Sequence, residues 1–216
     1  SKTLGNVIDP GEIAATFGVD AFRYFLLREV PFGLDGDFST AAMTARINHD
    51  LADEFGNLVG RISALASQKD SGILTPAAYR PQEEGLRRNA LAASKQATES
   101  FQFSVALTEL ARVFSDLNKK INDDRPWEAS DDKRKETLAT CAVDLARAIF
   151  LLSPYMPNLA GTASSRIGCS DWFSDPRKLF SDEQVRAGKD WKVTPGAPLV
   201  AKIEIPRRQA PDTEGQ

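Results

Sequence analysis

The chain has 216 residues, of which 26% are charged, and a formal net charge of −3 at pH 7. This length allows one large domain or two small ones, with enough apolar residues to bury a core. The slightly acidic balance excludes a general electrostatic attraction to nucleic acid, so any RNA contact has to come from a local patch. With one histidine and two distant cysteines, no zinc-type cluster can form at the usual spacing, and we predict no metal in this chain.

No apolar run reaches the length of a membrane span, and no signal-peptide pattern is present. We therefore predict a cytoplasmic protein without membrane contact. Cys141 and Cys169 are expected to be free thiols in a reducing compartment, with a disulfide between them as the alternative.

The first 38 residues predict two short helices and a loop. Asp9 can cap the first helix, with Pro10 at its first position, and Gly18 can end it. Asp20 is predicted to cap the second helix, which Pro31 ends. The stretch "PFGLDGDFS" then indicates a loop, because it is rich in Gly, Pro and Asp.

Four long amphipathic helices are predicted next, and Ser39 is expected to cap the first of them. Apolar residues recur along it at steps of three and four, which makes one stripe of Met43, Ile47, Leu51, Phe55, Leu58, Ile62 and Leu65. The second long helix is expected at about 82–99. The third is expected to begin at a cap at Ser104, and the fourth at about Asp131. A short helix is expected after Pro157.

The helical periodicity fades after Gly168. The stretches "DWFSDP" and "DEQVRAG" indicate short elements at most, while alternating apolar residues in "KVTPGAPLVAKIEIP" indicate an extended segment across the helices. We predict an all-α fold, an antiparallel helical bundle with a short N-terminal linking region and a mostly irregular C-terminal segment. The expected division is a linking region at 1–38, the bundle at 39–168, and a segment at 169–216 that packs on the bundle and ends in a flexible tail.

The opening "SKTLGNVIDP" resembles the KMSKS loop of class I aminoacyl-tRNA synthetases and the residues that follow it, with Ser1, Lys2 and Thr3 at the last three motif positions. The stretch "DAFRY" at 20–24 is similar to the one that links the catalytic domain to the helical bundle in the methionine, isoleucine, leucine and valine enzymes. The resemblance implies that Lys2 stabilises the ATP phosphates in the complete enzyme, where ATP is the expected cofactor.

The first long helix narrows the resemblance to methionyl-tRNA synthetases. Its "INHDLADEFGNLVGRI" is similar to N-x-x-L-A-x-x-x-G-N-L-x-x-R, and "DDRPWEAS" places a Pro-Trp pair after the third long helix. The resemblance implies that Asn57 and Arg61 help to read the first anticodon base and that Trp127, preceded by Pro126, stacks on it. It covers nearly the whole chain and is loose from about Ser170.

The residue types at these positions are compatible with recognition of an RNA base. Asn57 and Arg61 are one helical turn apart, so they project side by side on the flank of the apolar stripe. An amide, a guanidinium and an exposed indole suit the edge and face of an unstacked base. From the pattern alone, the pair is more typical of a solvated face, with Asp50 or Glu54 pairing with Arg46 or Arg61, and Trp127 is typical of core packing at a helix end.

The resulting hypothesis is recognition of a CAU anticodon by the C-terminal portion of a methionine–tRNA ligase. The expected partners are tRNA and the enzyme's own catalytic domain, without which the fragment is expected to be inactive. The cations predicted to contact phosphates near the indole are Lys119, Lys120, Arg125, Lys133, Arg134 and Lys135. The alternatives are the C-terminal part of a cysteine- or valine-type synthetase, and a helical-bundle protein-interaction module without RNA binding.

Overall fold

The computed structural model describes residues 9–29, 39–81 and 85–204 of the chain. Its all-α fold is the predicted one. Within those residues the only strands are two short ones, β1 (Ile73–Leu74) and β2 (Trp191–Lys192), which pair antiparallel. Among the described helices, none combines the length and apolarity needed to cross a bilayer.

The linking region begins with two helices, α1 (Pro10–Phe17) and α2 (Val19–Glu29). The Asp9 side chain accepts a hydrogen bond from the backbone N of Gly11 at 2.7 Å, which confirms the predicted cap. Gly18 ends α1 with a φ of 86°, a conformation that favours glycine.

The first bundle helix is continuous but not uniform. It comprises α3 (Thr40–Arg46), a π-helical segment (Ile47–Gly56) and α4 (Asn57–Lys69). Ser39 caps it as predicted, accepting from the backbone N of Ala42 at 3.3 Å. The π-helical segment was not predicted, because the apolar steps of three and four indicated one uninterrupted α-helix. Of the seven stripe residues, six are buried and one is only partly so, namely Met43, Ile47, Leu51, Phe55, Leu58, Ile62 and, partly, Leu65.

The other three long helices are α5 (Leu86–Glu99), α6 (Phe103–Asp124) and α7 (Asp131–Leu152). The predicted cap at Ser104 is wrong, because α6 already begins one residue earlier. The Ser104 carbonyl instead accepts from the hydroxyl of Thr108 at 2.7 Å, one turn along the helix.

Ion pairs between helices show that neighbouring helices run in opposite directions. Asp70, just after α4, pairs with Arg134 near the start of α7 at 2.9 Å. Arg87, at the start of α5, pairs with Asp116 in the second half of α6 at 2.6 Å. Most of α7 is buried around its full circumference, so it is the central helix of the bundle.

The C-terminal segment is mostly irregular over its described part, as predicted. It follows α8 (Pro157–Ile167) and contains a 3₁₀ turn (Ser170–Ser174), α9 (Pro176–Leu179) and α10 (Asp182–Arg186). After β2 the stretch predicted to be extended contains no helix or strand as far as residue 204, bends at residues 197, 199 and 200, and contacts α8 and the first bundle helix.

The "DAFRY" stretch fastens the linking region to the bundle. The Asp20 carboxylate accepts a hydrogen bond from the backbone N of Leu159 at 2.6 Å. It therefore caps the start of α8, whereas the sequence predicted that it would cap its own helix, α2. Arg23 donates to the carbonyl oxygens of Pro154 and Tyr155 at 2.9 and 2.8 Å, just after α7. One turn of α2 therefore stabilises both sides of the α7–α8 connection.

Candidate nucleic-acid interface

Asn57 and Arg61 lie where the helical spacing predicted, on the exposed flank of the first bundle helix. Asn57 is the first residue of α4 after the π-helical segment, and its side chain is exposed. Arg61 follows one turn later and is half-buried. The pair is therefore open to solvent on one side and supported by the bundle on the other.

The Arg61 guanidinium is held by two amides of α6. Its Nη2 donates to Oδ1 of Asn122 at 2.6 Å and its Nη1 to Oδ1 of Asn118 at 3.3 Å. Asn118 is itself fixed, since its Nδ2 donates to the carbonyl and to Oε2 of Glu54, both at 3.0 Å. The orientation of Arg61 is thus set by a network that ties α6 to the first bundle helix.

The charge on Arg61 is not neutralised by a neighbour. No carboxylate in the described part of the chain lies within ion-pair distance of it. Asp50 pairs with Arg46 at 3.5 Å instead, and Glu54 accepts only from Asn118. Burial lowers the pKa of Arg61, yet a guanidinium stays protonated at neutral pH. Of the alternative pairings, that of Asp50 with Arg46 is therefore confirmed, and a pairing of Asp50 or Glu54 with Arg61 is not found among the described residues.

Trp127 lies on the surface, in the turn after α6. Its side chain is 40% exposed, whereas Pro126 before it is buried. Arg125 ends α6 in the left-handed region with a φ of 44° and turns the chain away. Glu128 accepts from the indole Nε1 at 3.1 Å and from Arg125 at 2.7 Å, which restrains the ring from its edge. The core-packing alternative for Trp127 does not hold.

Arg61 and Trp127 lie at the same end of the bundle. Asn122, which contacts Arg61, is in the last turn of α6, and Trp127 follows five residues later. Since consecutive Cα atoms are about 3.8 Å apart, the backbone of Trp127 is at most about 19 Å from that of Asn122. The pair on α4 and the indole can thus border one surface.

Asn57 and Arg61 also line a groove of about 610 Å³ between α4 and the extended segment after β2. The opposite wall consists of residues 196–198, residues 200–202 and Arg166 of α8. The segment packs against Gly56, where a Cβ would be in ordinary van der Waals contact with the backbone N of Val200 at 3.5 Å. The sequence had predicted an extended segment here, but not that it borders the Asn57–Arg61 pair.

The cations predicted to contact phosphates fall into two groups. Four of them pair with nearby carboxylates, namely Lys120, Arg125, Lys133 and Arg134. Arg134 is buried, and its Nε and Nη2 hold both oxygens of Asp70, so its predicted phosphate contact is wrong. Lys119 and Lys135 are exposed.

Lys2, which was predicted to stabilise the ATP phosphates, lies outside the described residues. The other prediction concerns metal binding. Within the described residues, no group of three or more His, Cys, Asp or Glu side chains is placed to hold a metal ion.

Known proteins similar to this chain are class I synthetases. The family model described as tRNA synthetases class I (M) matches residues 1–63. A methionine–tRNA ligase from Caldanaerobacter subterraneus subsp. tengcongensis is 38% identical over 180 residues, which are 79% of this chain and 28% of that protein. One from Fusobacterium nucleatum is 31% identical over 229 residues, covering 99% of this chain and 35% of that protein.

Solved structures give the same result. The methionyl-tRNA synthetase of Mycobacterium tuberculosis in complex with methionyl-adenylate matches with a TM-score of 0.76 at 29% identity, over 92% of this chain and 40% of that one. Its apo form matches with a TM-score of 0.74 at 28% identity, over 92% of this chain and 42% of that one. The chain belongs to the methionyl-tRNA synthetase family. It spans about a third of the length of the curated relatives it matches.

Membership of the methionyl-tRNA synthetase family favours the methionine type over the cysteine and valine types. Two residues of the candidate interface, Asn118 and Asn122, were not predicted from the sequence. They lie one turn apart on α6, each directly after an apolar stripe residue, Leu117 or Ile121. That spacing placed them on one flank of α6, but only the structure shows that this flank meets Arg61.

Proposed function

We propose that this chain is the anticodon-reading part of a cytoplasmic methionine–tRNA ligase. The complete protein would join methionine to its tRNA using ATP, with Lys2 close to the ATP phosphates. The bundle, residues 39–168, would supply the contact with a CAU anticodon, while the catalytic part of the enzyme is the chain's other partner.

The observation that carries this proposal is the state of Arg61, a half-buried guanidinium held by Asn118 and Asn122, with no carboxylate of the described residues within ion-pair distance. A guanidinium has five N–H donors, and two are committed to these amides. The remaining donors and the uncompensated charge are available to an RNA base or phosphate. Because α6 fixes the side chain beforehand, little side-chain entropy is lost when the RNA binds.

Asn57 and Trp127 complete the proposed contact. The exposed amide of Asn57 offers both a donor and an acceptor next to Arg61, which suits the Watson–Crick edge of an unstacked base. The exposed face of Trp127 offers a stacking surface worth about 1–3 kcal/mol per base. Single-stranded anticodon loops present such bases.

The charge balance sets how strongly the chain should bind. A net charge of −3 gives little nonspecific RNA affinity, so the local cations supply the electrostatic attraction. We expect weak binding that falls as salt rises, with most of the selectivity carried by base contacts.

The test is binding of fluorescently labelled anticodon stem-loops to the purified 216-residue chain. The proposal expects the CAU stem-loop to bind more tightly than otherwise identical GCA and GAC stem-loops. Equal binding of all three would contradict anticodon reading. No binding to any stem-loop would favour the protein-interaction module instead.

A further inference from the structure

The groove beside Asn57 and Arg61 has a second guanidinium on its opposite wall. Arg166 lies in the last turn of α8 and lines the same groove. Its Nη1 donates to the carbonyl oxygen of Ala197 at 2.7 Å. Its Nη2 lies 3.2 Å from the position that a Cβ would occupy at Gly196, so the absence of a side chain there makes room for it.

The groove is locally positive although the chain is acidic. The described residues include no carboxylate within ion-pair distance of Arg166, just as for Arg61. Lys202 at the groove pairs with Asp53 at 2.8 Å, so those two charges offset each other. Two uncompensated guanidinium groups remain, one on each wall.

Arg166 is also held in position before any ligand binds. The carbonyl oxygen of Arg166 accepts a hydrogen bond from the backbone N of Thr194 at 2.8 Å. Val193, which precedes Thr194, donates its backbone N–H to the carbonyl oxygen of Gly72 at 2.9 Å. These bonds fix the extended segment to α8 and to the β1 region. The half-buried guanidinium uses one donor on Ala197 and keeps four others.

We propose that Arg166 binds a backbone phosphate of the anticodon loop, next to the base contacted by Asn57 and Arg61. This inference rests on the proposed function. The base is attached at C1′ and the phosphates are carried at C3′ and C5′, at the other end of the sugar, so a groove with the base on one wall has room for a phosphate at the other. A planar guanidinium with several free donors matches phosphate oxygens in charge and geometry.

The salt dependence of RNA binding separates a phosphate contact from other roles. Each single-strand phosphate neutralised contributes about −0.7 to the slope of log K against log salt concentration. We expect Arg166→Gln to make the slope shallower by about 0.7, or about fivefold weaker binding at 0.1 M salt. The loss should be equal for CAU and GCA stem-loops, since phosphate contacts carry no sequence information. Arg166→Lys should retain most of the slope, because it keeps the charge.

The matched control is Arg177→Gln in α9, which removes an arginine whose side chain is 94% exposed and which does not line the groove. It should leave the slope unchanged, and thermal unfolding should show that all the variants are folded. An unchanged slope for Arg166→Gln, or a loss confined to the CAU stem-loop, would overturn the phosphate assignment. If the unmodified chain did not prefer CAU, the proposed function would fail whatever Arg166 does.

Discussion

The Arg61 guanidinium donates to the side-chain oxygen of Asn122 at 2.6 Å, which joins the first bundle helix to the last turn of α6. Trp127 lies five residues beyond this contact. The same end of α6 therefore holds the cation and leads directly into the turn that carries the indole.

Replacing Asn122 by Ala removes the shorter of the two bonds that orient Arg61. We expect anticodon affinity to fall by about 1 kcal/mol, the usual contribution of one hydrogen bond. Because Asn122 is exposed, the free energy of unfolding should change by less than about 0.5 kcal/mol. Stem-loop titration and urea denaturation measure the two quantities. Asn89→Ala, an exposed asparagine on α5, is the matched control, and equal affinity of the two variants would refute the orienting role.

Trp127→Ala removes the proposed stacking surface. We expect anticodon binding to weaken by about 1–3 kcal/mol, with the helical circular dichroism signal and the melting temperature little changed, because the ring is 40% exposed. Collapse of the helical signal would show instead that the indole supports the fold. Unaltered binding would remove Trp127 from the site.

Two glycines on the first bundle helix should respond in opposite ways to the same substitution. At Gly56 an added Cβ would lie 2.9 Å from the carbonyl oxygen of Leu51, so Gly56→Ala should destabilise the chain by about 1–3 kcal/mol. At Gly60 nothing lies within 4 Å, so Gly60→Ala should stabilise α4 by about 0.5–1 kcal/mol. Urea denaturation checks both, and a stabilising Gly56→Ala would argue against the π-helical geometry.

Both cysteines are buried and free in the structure, in agreement with the sequence expectation of two thiols. Burial raises the pKa of Cys141 and of Cys169 to about 12, so both stay protonated at pH 8 in the folded chain. In the unfolded chain, with an ordinary pKa of about 8.5, about a quarter of each would be thiolate at that pH.

A disulfide-exchange reagent at pH 8 should therefore label the native chain very slowly, and two thiols per chain at once after addition of urea. Raising the pH to 9 should accelerate labelling of the unfolded chain by about threefold, because its thiolate fraction rises from about a quarter to about three quarters. Rapid labelling of the native chain would show that at least one thiol is exposed.

Local signals were sufficient to predict most of the architecture. The stripe from Met43 to Ile62 identified the first bundle helix because burying one face of a helix requires that spacing. Asp9 and Ser39 marked helix starts correctly, since each caps its own helix through a contact within three residues. Such contacts depend only on neighbouring residues, and the sequence displays them directly.

Contacts between distant elements could not be predicted in this way. Asp20 has the chemistry of a cap, but it caps a helix 139 residues away, because α2 packs beside the start of α8. Arg61 had acidic neighbours in its own helix, yet its partners are amides of α6. The place of Arg166 beside the candidate site likewise depends on the path of the extended segment, which periodicity does not determine.

The central claim is that Arg61 takes part in selecting the anticodon. The most direct test compares the unmodified chain with Arg61→Gln for binding to CAU and GCA stem-loops at one salt concentration, with circular dichroism as the control for folding. The account predicts that the variant stays folded and that most of the preference for CAU disappears. A folded Arg61→Gln chain that retained the full preference would contradict it.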